Sequence, residues 1–264
     1  MICKVKCLVF CICLLALNVT AQEHFKTFDN INLAYSDTGS GLPVILIHGF
    51  ISSGASWNNS ILKKELQQKG YRVIVPDLRG NGESDQPQDA QSYANDAEIK
   101  DLKALANHLK LEEFYAVGYS RGAILLAKLL TSEPRINKAV LGGMGVDFTI
   151  ADWSRRIMFQ KAFSGEEKPN EITEGAIDYA KSIGADLNIL GYLQEFQPVT
   201  SIEELNKIKS SVLVLAGDMD KDNGDPKDLA QQIPGAILKI VPGGHNETKN
   251  TKAFSEEVIL FLQK

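Results

Sequence analysis

Residues 114–123 read FYAVGYSRGA, and this stretch decides the fold. Its apolar first half, Phe114–Val117, predicts a buried strand, and the residues after Ser120 predict a helix. Gly118 and Gly122 flank the serine in the pattern G-x-S-x-G. A serine on so tight a turn has a strained backbone, and only glycine leaves room two residues before and after it. The stretch therefore predicts an exposed, nucleophilic serine between a strand and a helix.

The chain around this stretch alternates short apolar runs with longer amphipathic segments. Pro43–Ile47 (PVILI) is apolar throughout, which predicts a central strand buried on both faces. Asp29 and Asn30 link the first two strands and predict a hairpin at the sheet edge. The predicted strands are His24–Phe28, Ile31–Ser36, Pro43–Ile47, Arg72–Val75, Phe114–Val117, Lys138–Leu141, Val212–Leu215 and Ala236–Val241, and the predicted helices are Trp57–Lys69, Tyr93–Leu109, Arg121–Leu130, Pro226–Gln232 and Lys252–Leu262. This order predicts an α/β fold with a mostly parallel central sheet flanked by helices.

One long segment, about 146–205, interrupts the alternation. It contains no buried strand, but apolar residues recur at helical spacing from Ile172 to Ala180 and again over Leu190–Phe196. Unstructured loops of this length are uncommon within a domain. We therefore expect a helical insertion over one end of the sheet.

The first 21 residues have the three-part pattern of a secretory signal peptide. Lys4 and Lys6 precede an apolar run from Leu8 to Leu17, which is too short to cross a bilayer, and small side chains precede a cut site after Ala21. We expect residues 1–21 to be removed on export, leaving 22–264 as the mature domain without a stable membrane anchor. All four cysteines lie in this segment, at positions 3, 7, 11 and 13, so we expect no disulfide in the mature chain.

Composition and charge exclude several classes of protein. With 264 residues, 44% hydrophobic and 23% charged, the chain is long and apolar enough to form a globular core. Cleavage after Ala21 removes two lysines and no acidic residue, which takes the formal net charge from −5 to −7. Because no basic stripe is present, nucleic acids and anionic membranes are poor candidates for partners. A small molecule is the expected partner, and no pattern predicts an oligomeric state.

A serine nucleophile needs a histidine base, and the chain has four histidines. In the α/β-hydrolase arrangement, which this strand-to-helix turn resembles, the acid and then the histidine follow the serine in the chain. His24 and His48 precede Ser120, and His108 lies on the polar side of a helix end. His245 remains, on a glycine-flanked loop after the last predicted strand, at the sheet edge where ligands bind in α/β folds.

Two aspartates are candidates for the acid that orients this histidine. The segment 212–220 reads VLVLAGDMD, and either Asp218 or Asp220 could reach His245 from the end of the predicted strand. A calcium loop is a poor alternative, because the sixth and twelfth positions lack the glycine and glutamate that such a loop needs.

Two backbone N–H groups are expected to stabilise the oxyanion. One is the amide of Arg121, directly after the nucleophile. The other comes from the loop after Pro43–Ile47, which reads His48-Gly49-Phe50: Gly49 permits the bend, Phe50 offers its amide, and His48 fixes the loop. No P-loop, dinucleotide fingerprint or metal-ligand cluster occurs, so no cofactor and no metal are expected.

Five segments together resemble the α/β-hydrolase superfamily over nearly the whole mature chain. They are LAYSDTGSGLPVILIHGF at 33–50, VIVPDLRGNGES at 73–84, FYAVGYSRGA at 114–123, VLVLAGDMD at 212–220 and PGGHNE at 242–247. The resemblance implies the α/β-hydrolase fold, with the insertion in the position of a substrate-shaping cap. It also favours Asp220 over Asp218, because the family's acid usually lies three residues after the glycine that ends the strand. Ser120 disfavours the haloalkane dehalogenase and epoxide hydrolase branches, which use an aspartate nucleophile.

The sequence departs from the family pattern on both sides of the serine, at Tyr119 and Arg121. Many members have histidine and a small or apolar residue there. The Arg121 side chain could favour an anionic or polar acyl group, or could pair with a carboxylate of the cap; we favour the pairing.

The resemblance implies a secreted serine hydrolase that cleaves a carboxylic ester or related acyl bond through an acyl-enzyme on Ser120, with His245 and Asp220 completing the triad. Two alternatives remain open from the sequence. One is a cofactor-free lyase or carbon–carbon bond hydrolase with the same triad. The other is a non-catalytic binding protein on the same fold.

Overall fold

A computed structural model describes residues 22–264 of the chain, so the predicted signal peptide and its four cysteines lie outside the described residues. The described part contains one eight-stranded sheet. Its strands are β1 Glu23–Lys26, β2 Asn32–Thr38, β3 Pro43–Ile47, β4 Arg72–Pro76, β5 Phe114–Tyr119, β6 Ile136–Gly142, β7 Ser211–Gly217 and β8 Ile237–Val241. The eight predicted strands are thereby confirmed, with ends that differ by at most two residues.

The strands lie in the order β1-β2-β4-β3-β5-β6-β7-β8. β1 and β2 pair antiparallel at one edge, as the predicted hairpin, and β2 pairs antiparallel with β4. The remaining neighbours are all parallel, so the carboxyl ends of β3 to β8 meet at one edge of the sheet. Ile47 and Gly118 are paired in register, which brings the two loops expected to form the oxyanion site side by side.

Ten α-helices occur among the described residues. They are α1 Ile61–Gln68, α2 Ala97–His108, α3 Arg121–Leu130, α4 Ser154–Ser164, α5 Glu171–Ser182, α6 Leu187–Glu195, α7 Ile202–Leu205, α8 Pro226–Gln232, α9 His245–Thr248 and α10 Lys252–Gln263. Two of them begin later than predicted. The Ser60 side chain caps α1 by accepting from the Lys63 amide, and Asn95 and Asp96, both at positive φ, delay α2 to Ala97.

Each central strand is buried on both faces, as the PVILI run predicts. Ile45 and Ile47 pack in one apolar cluster with α2 and α3, whereas Val44 and Leu46 pack in a second cluster with α1 and α10. This alternation follows from the two-residue period of a strand. The sheet therefore carries a helical layer on each face, which makes it a rigid support for side chains at its carboxyl edge.

The segment between β6 and β7, which we call the insertion (residues 146–205), is helical in the structure and comprises α4 to α7. Helices α4, α5 and α6 share a third apolar cluster, to which Ile51 and Tyr93 of the sheet domain also belong. The insertion thus packs on the loops at the carboxyl edge of the sheet. Over residues 22–264, the structure has no helix both long and apolar enough to cross a membrane.

Candidate active site

Ser120 lies on the turn between β5 and α3, with φ of 55° and ψ of −127°. The close approach that this turn requires is visible at both glycines. A Cβ at Gly118 would lie 2.3 Å from the Gly122 carbonyl oxygen, and one at Gly122 would lie 2.4 Å from the carbonyl oxygen of Ile47. Both contacts are with backbone atoms that cannot move aside. The two glycines therefore have the steric role that the sequence predicts for them.

Ser120, His245 and Asp220 form a continuous series of hydrogen bonds. His245 Nε2 lies 2.9 Å from Ser120 Oγ, and His245 Nδ1 lies 2.8 Å from Asp220 Oδ2. The Asp220 side chain is 3% exposed, whereas that of His245 is 20% exposed. The Asp220 carboxylate is thus shielded from water, whereas one side of the His245 imidazole remains accessible to a substrate.

His245 differs in one respect from its predicted place on a loop, because it is the first residue of the short helix α9. The turn before it is held by the other candidate acid. Asp218 does not contact His245: its Oδ1 accepts a hydrogen bond of 3.0 Å from the Gly243 amide. Of the two aspartates, the structure therefore brings Asp220 to the histidine and uses Asp218 to shape the turn that precedes it.

Tyr119, one of the two departures from the family pattern, also positions His245. Its hydroxyl donates a 2.6 Å hydrogen bond to the His245 carbonyl oxygen, and the two rings lie 5.6 Å apart. Burial raises the pKa of Tyr119, so the hydroxyl remains a donor over the physiological range. The sequence marked this residue only as unusual and suggested no role for it.

The predicted oxyanion loop, residues 48–50, lies directly over Ser120. A Cβ at Gly49 would lie 3.2 Å from Ser120 Cβ, so a larger residue would crowd the serine. His48 is buried, and burial lowers its pKa to about 4, which keeps the ring neutral. Its Nε2 accepts from the Leu78 amide at 3.1 Å, so Nδ1 carries the proton and donates to the Gly49 carbonyl at 2.9 Å.

This contact fixes the peptide between Gly49 and Phe50. Because the peptide is planar and trans, holding the Gly49 carbonyl on one side directs the Phe50 amide to the other. Neither the Phe50 amide nor the Arg121 amide donates a hydrogen bond to any group between residues 22 and 264. Among the described residues, both predicted donors therefore lack an acceptor, and His48 contacts the loop at the Gly49 carbonyl.

The Arg121 side chain, unlike its amide, does not face the predicted oxyanion position but forms a buried ion pair. Its two terminal nitrogens donate to the Glu98 carboxylate at 2.8 and 2.5 Å, and one also donates to the Leu193 carbonyl at 2.8 Å. Arg121 and Glu98 are 4% and 5% exposed. The predicted pairing with a cap carboxylate is wrong, because the carboxylate belongs to α2 and the insertion supplies only a main-chain carbonyl. A signal for Glu98 was present: together with Asp101 it places a charge on the apolar face of α2.

A cavity of about 680 Å³ lies between the carboxyl edge of the sheet and the insertion, and Ser120 and His245 open into it. Its apolar wall includes Ile124, Met144, Trp153, Phe159 and Ile172. Four cationic residues, Arg121, Arg155, Arg156 and Lys249, also line it, against one acidic residue, Asp222. Within the described part of the chain, no group of three or more His, Cys, Asp or Glu side chains is placed to hold a metal ion.

Comparison with known proteins places the site in context. The family model described as alpha/beta hydrolase fold matches residues 43–171. A non-heme haloperoxidase from Rhodococcus erythropolis is 38% identical over 89% of this chain and 97% of its own length. An epoxide hydrolase 2 from Siraitia grosvenorii is 36% identical, but over 39% of this chain and 32% of its own length. The crystal structure of a bromoperoxidase from Bacillus anthracis superposes with a TM-score of 0.71 at 25% identity, covering 92% of this chain and 100% of that one.

Proposed function

This chain belongs to the α/β-hydrolase family, and on that premise we propose that it is a serine hydrolase that cleaves carboxylic esters through an acyl-enzyme on Ser120. The observation that carries the proposal is the hydrogen-bonded series from Ser120 through His245 to Asp220. A serine hydroxyl is a weak nucleophile at neutral pH, and this arrangement is how proteins activate it. Two free amides beside the serine supply the charge stabilisation that acyl transfer needs.

Acylation begins when Ser120 Oγ attacks the ester carbonyl carbon and His245 Nε2 takes the hydroxyl proton. The carbonyl oxygen becomes negatively charged and accepts hydrogen bonds from the amides of Phe50 and Arg121. Asp220 stabilises the imidazolium that forms, because it accepts the hydrogen bond from Nδ1. The tetrahedral species then collapses, the carbon–alkoxy bond breaks, and His245 gives its proton to the leaving alcohol.

Deacylation repeats these steps with water as the nucleophile. His245 takes a proton from water, the hydroxide adds to the acyl carbon, and the bond to Ser120 Oγ breaks with return of the proton to the serine. The products are the alcohol and the carboxylic acid. The open side of His245 toward the cavity supports this route, because the attacking water must approach the imidazole from there.

The test is hydrolysis of a short-chain 4-nitrophenyl ester by the purified protein and by Ser120→Ala. We expect release of 4-nitrophenol by the wild type and a loss of at least about a thousandfold in kcat for the variant. A fluorophosphonate probe should label the wild type at Ser120 and leave Ser120→Ala unlabelled. Equal rates for the two proteins, or labelling that is unaffected by the substitution, would exclude the proposal.

A second candidate function is peroxide-dependent acyl transfer, and the name of the Rhodococcus erythropolis relative favours it. Hydrogen peroxide can replace water in deacylation: its oxygen bonds to the acyl carbon, the bond to Ser120 Oγ breaks, and a peracid is released. The assay measures halide-dependent oxidation of a dye in the presence of acetate and hydrogen peroxide. Dye oxidation that requires Ser120 would support this candidate, whereas oxidation by Ser120→Ala would exclude it.

We also propose that the protein is exported after cleavage behind Ala21, on the pattern of residues 1–21. The measurement is the N-terminal sequence of the protein recovered from the native host's extracellular or periplasmic fraction. A start at Gln22 supports export with cleavage. Recovery of the intact chain in the cell interior would exclude it.

A further inference from the structure

One corner of the cavity, away from the buried ion pair, carries a lysine that has no hydrogen-bond or ion-pair acceptor among residues 22–264. Here the loop after β3 approaches the end of α9, and Ser56 and Lys249 line the cavity together. We call these two residues the lysine corner. Lys249 follows His245 by four residues, about 6 Å along a helix axis, and both residues line the cavity.

Lys249 differs from the other three cationic residues of the cavity, because each of those has acceptors. Arg121 pairs with Glu98, Arg155 pairs with Asp222 at 3.2 Å, and Arg156 donates to main-chain carbonyls that include that of Gln194. For Lys249, no acceptor occurs among the described residues. Its ammonium nitrogen instead lies 4.7 Å from the centroid of the Trp57 ring.

The other polar side chain of this corner, Ser56, also lacks a hydrogen-bond partner among the described residues. Ser56 Oγ is buried and has no hydrogen-bond partner within residues 22–264, and the same holds for Trp57 Nε1, on the ring that Lys249 covers. Burying a polar group without a partner costs free energy, and native structures usually avoid it. An unpaired serine hydroxyl beside a cation suits a ligand that has acceptor oxygens and a negative charge.

From this geometry we propose that the lysine corner is a subsite for an anionic group of the substrate, a carboxylate by class, which binds Lys249 Nζ and Ser56 Oγ while the ester lies at Ser120. The proposal rests on the proposed esterase function, since the anion is a part of the same substrate. The enzyme would thus prefer half-esters of dicarboxylic acids, or esters of hydroxy acids, over neutral esters of equal size.

The charge state of the lysine is consistent with this role. Burial lowers the pKa of Lys249 to about 8. The ammonium group is still mostly protonated at pH 7. A bound carboxylate would supply the missing counter-charge and favour the protonated form further.

The experiment compares matched ester pairs that differ only in charge. One pair carries the charge on the alcohol, 4-acetoxybenzoate against 4-acetoxybenzamide, and the other carries it on the acyl group, mono-4-nitrophenyl glutarate against the corresponding glutaramate ester. We expect kcat/KM to favour the charged member of at least one pair. Lys249→Met, which keeps the carbon stem on Trp57, should reduce that preference by about tenfold or more.

Lys252→Met is the control variant, because Lys252 is 74% exposed and lies on the same surface segment without lining the cavity. It removes the same charge and should leave the preference unchanged. Ser56→Ala should reduce the preference by a smaller, severalfold amount. A preference that Lys249→Met does not change in either pair, or that Lys252→Met reduces equally, would overturn the subsite.

A binding measurement separates this proposal from the failure of the proposed function. Ser120→Ala cannot form the acyl-enzyme, so calorimetry with 4-acetoxybenzoate on that variant measures binding alone. We expect 4-acetoxybenzoate to bind, and its affinity to fall by about tenfold when Lys249→Met is added. The neutral 4-acetoxybenzamide should not show this binding. If the wild type hydrolyses none of the four esters, the esterase proposal fails. Equal binding with and without Lys249→Met overturns the subsite.

Discussion

Replacing Glu98 by glutamine tests whether the buried ion pair holds the nucleophile turn in place. Glu98→Gln keeps the side chain's shape but removes the charge that faces Arg121, whose guanidinium would then remain buried without a counter-charge. Both groups are about 95% buried, and the two donated hydrogen bonds are 2.8 and 2.5 Å. Removing one partner of a pair of this kind costs about 3–5 kcal/mol of unfolding free energy.

For a domain of this size, each kcal/mol changes the melting temperature by about 2–4 °C, so we expect Glu98→Gln to lower it by about 6–20 °C. The measurement is calorimetric or circular-dichroism melting at one pH and one protein concentration. Since Arg121 also begins α3 and its amide is one of the two proposed oxyanion donors, kcat should fall at temperatures where the variant is fully folded. KM should change much less, because the substrate-binding wall is intact.

Two further variants keep this prediction falsifiable. Glu167→Gln removes a carboxylate from an exposed pair with Lys161 and should leave the melting temperature unchanged. The double variant Glu98→Gln/Arg121→Met removes the unpaired charge and should recover most of the lost stability. If Glu98→Gln melts at the same temperature as Glu167→Gln, or if the double variant melts below Glu98→Gln, the reasoning is refuted.

Three other substitutions test the site. Tyr119→Phe removes the hydrogen bond to the His245 carbonyl and should lower kcat by up to about tenfold with little change in KM; an unchanged kcat would show that the bond does not position the imidazole. Gly49→Ala places a methyl group 3.2 Å from Ser120 Cβ and should lower kcat by about a hundredfold in a protein that still melts cooperatively, which steady-state kinetics and melting together measure. His48 should make the protein less stable in acid, because its pKa is about 4 in the folded protein and ordinarily 6.5. As the pH falls, the unfolded chain therefore takes up the proton first. The stabilisation that is present above pH 6.5 is lost as the pH falls toward 4. His48→Gln should flatten this part of the stability profile in urea unfolding series, and an identical slope in both proteins would contradict it.

Local patterns were sufficient for the sheet and for the nucleophile. An apolar run such as PVILI can be buried on both faces only in the middle of a layered fold. Its alternate residues pack in the two apolar clusters on either side of the sheet, as the two-residue period of a strand predicts. The glycines around Ser120 are needed because the backbone of residues 118–122 turns too tightly for a Cβ at Gly118. This requirement arises within five consecutive residues. For this reason, these features could be read without knowledge of the tertiary structure.

Other features depend on contacts between distant segments, and residue patterns alone were not sufficient to predict them. Asp218 and Asp220 are two residues apart and chemically identical; only the path of the chain after β7 directs one to His245 and the other to the Gly243 amide. Glu98 and Arg121 are 23 positions apart, and their pairing requires α2 and α3 to lie side by side. The unpaired donors of Ser56 and Lys249 likewise appear only when the loop after β3 meets α9.

The contact from Arg121 to the Leu193 carbonyl has a consequence for how such proteins diversify. This bond joins the catalytic half of the molecule to the insertion through a main-chain atom, so it makes no demand on the side chain at position 193. Arg156 uses carbonyl oxygens in the same way within the insertion. The insertion can therefore change its amino acids, and with them the shape of the cavity, while its anchorage persists. A chimera that receives a foreign insertion should keep this anchorage if one helix of the insertion places a main-chain carbonyl where that of Leu193 lies.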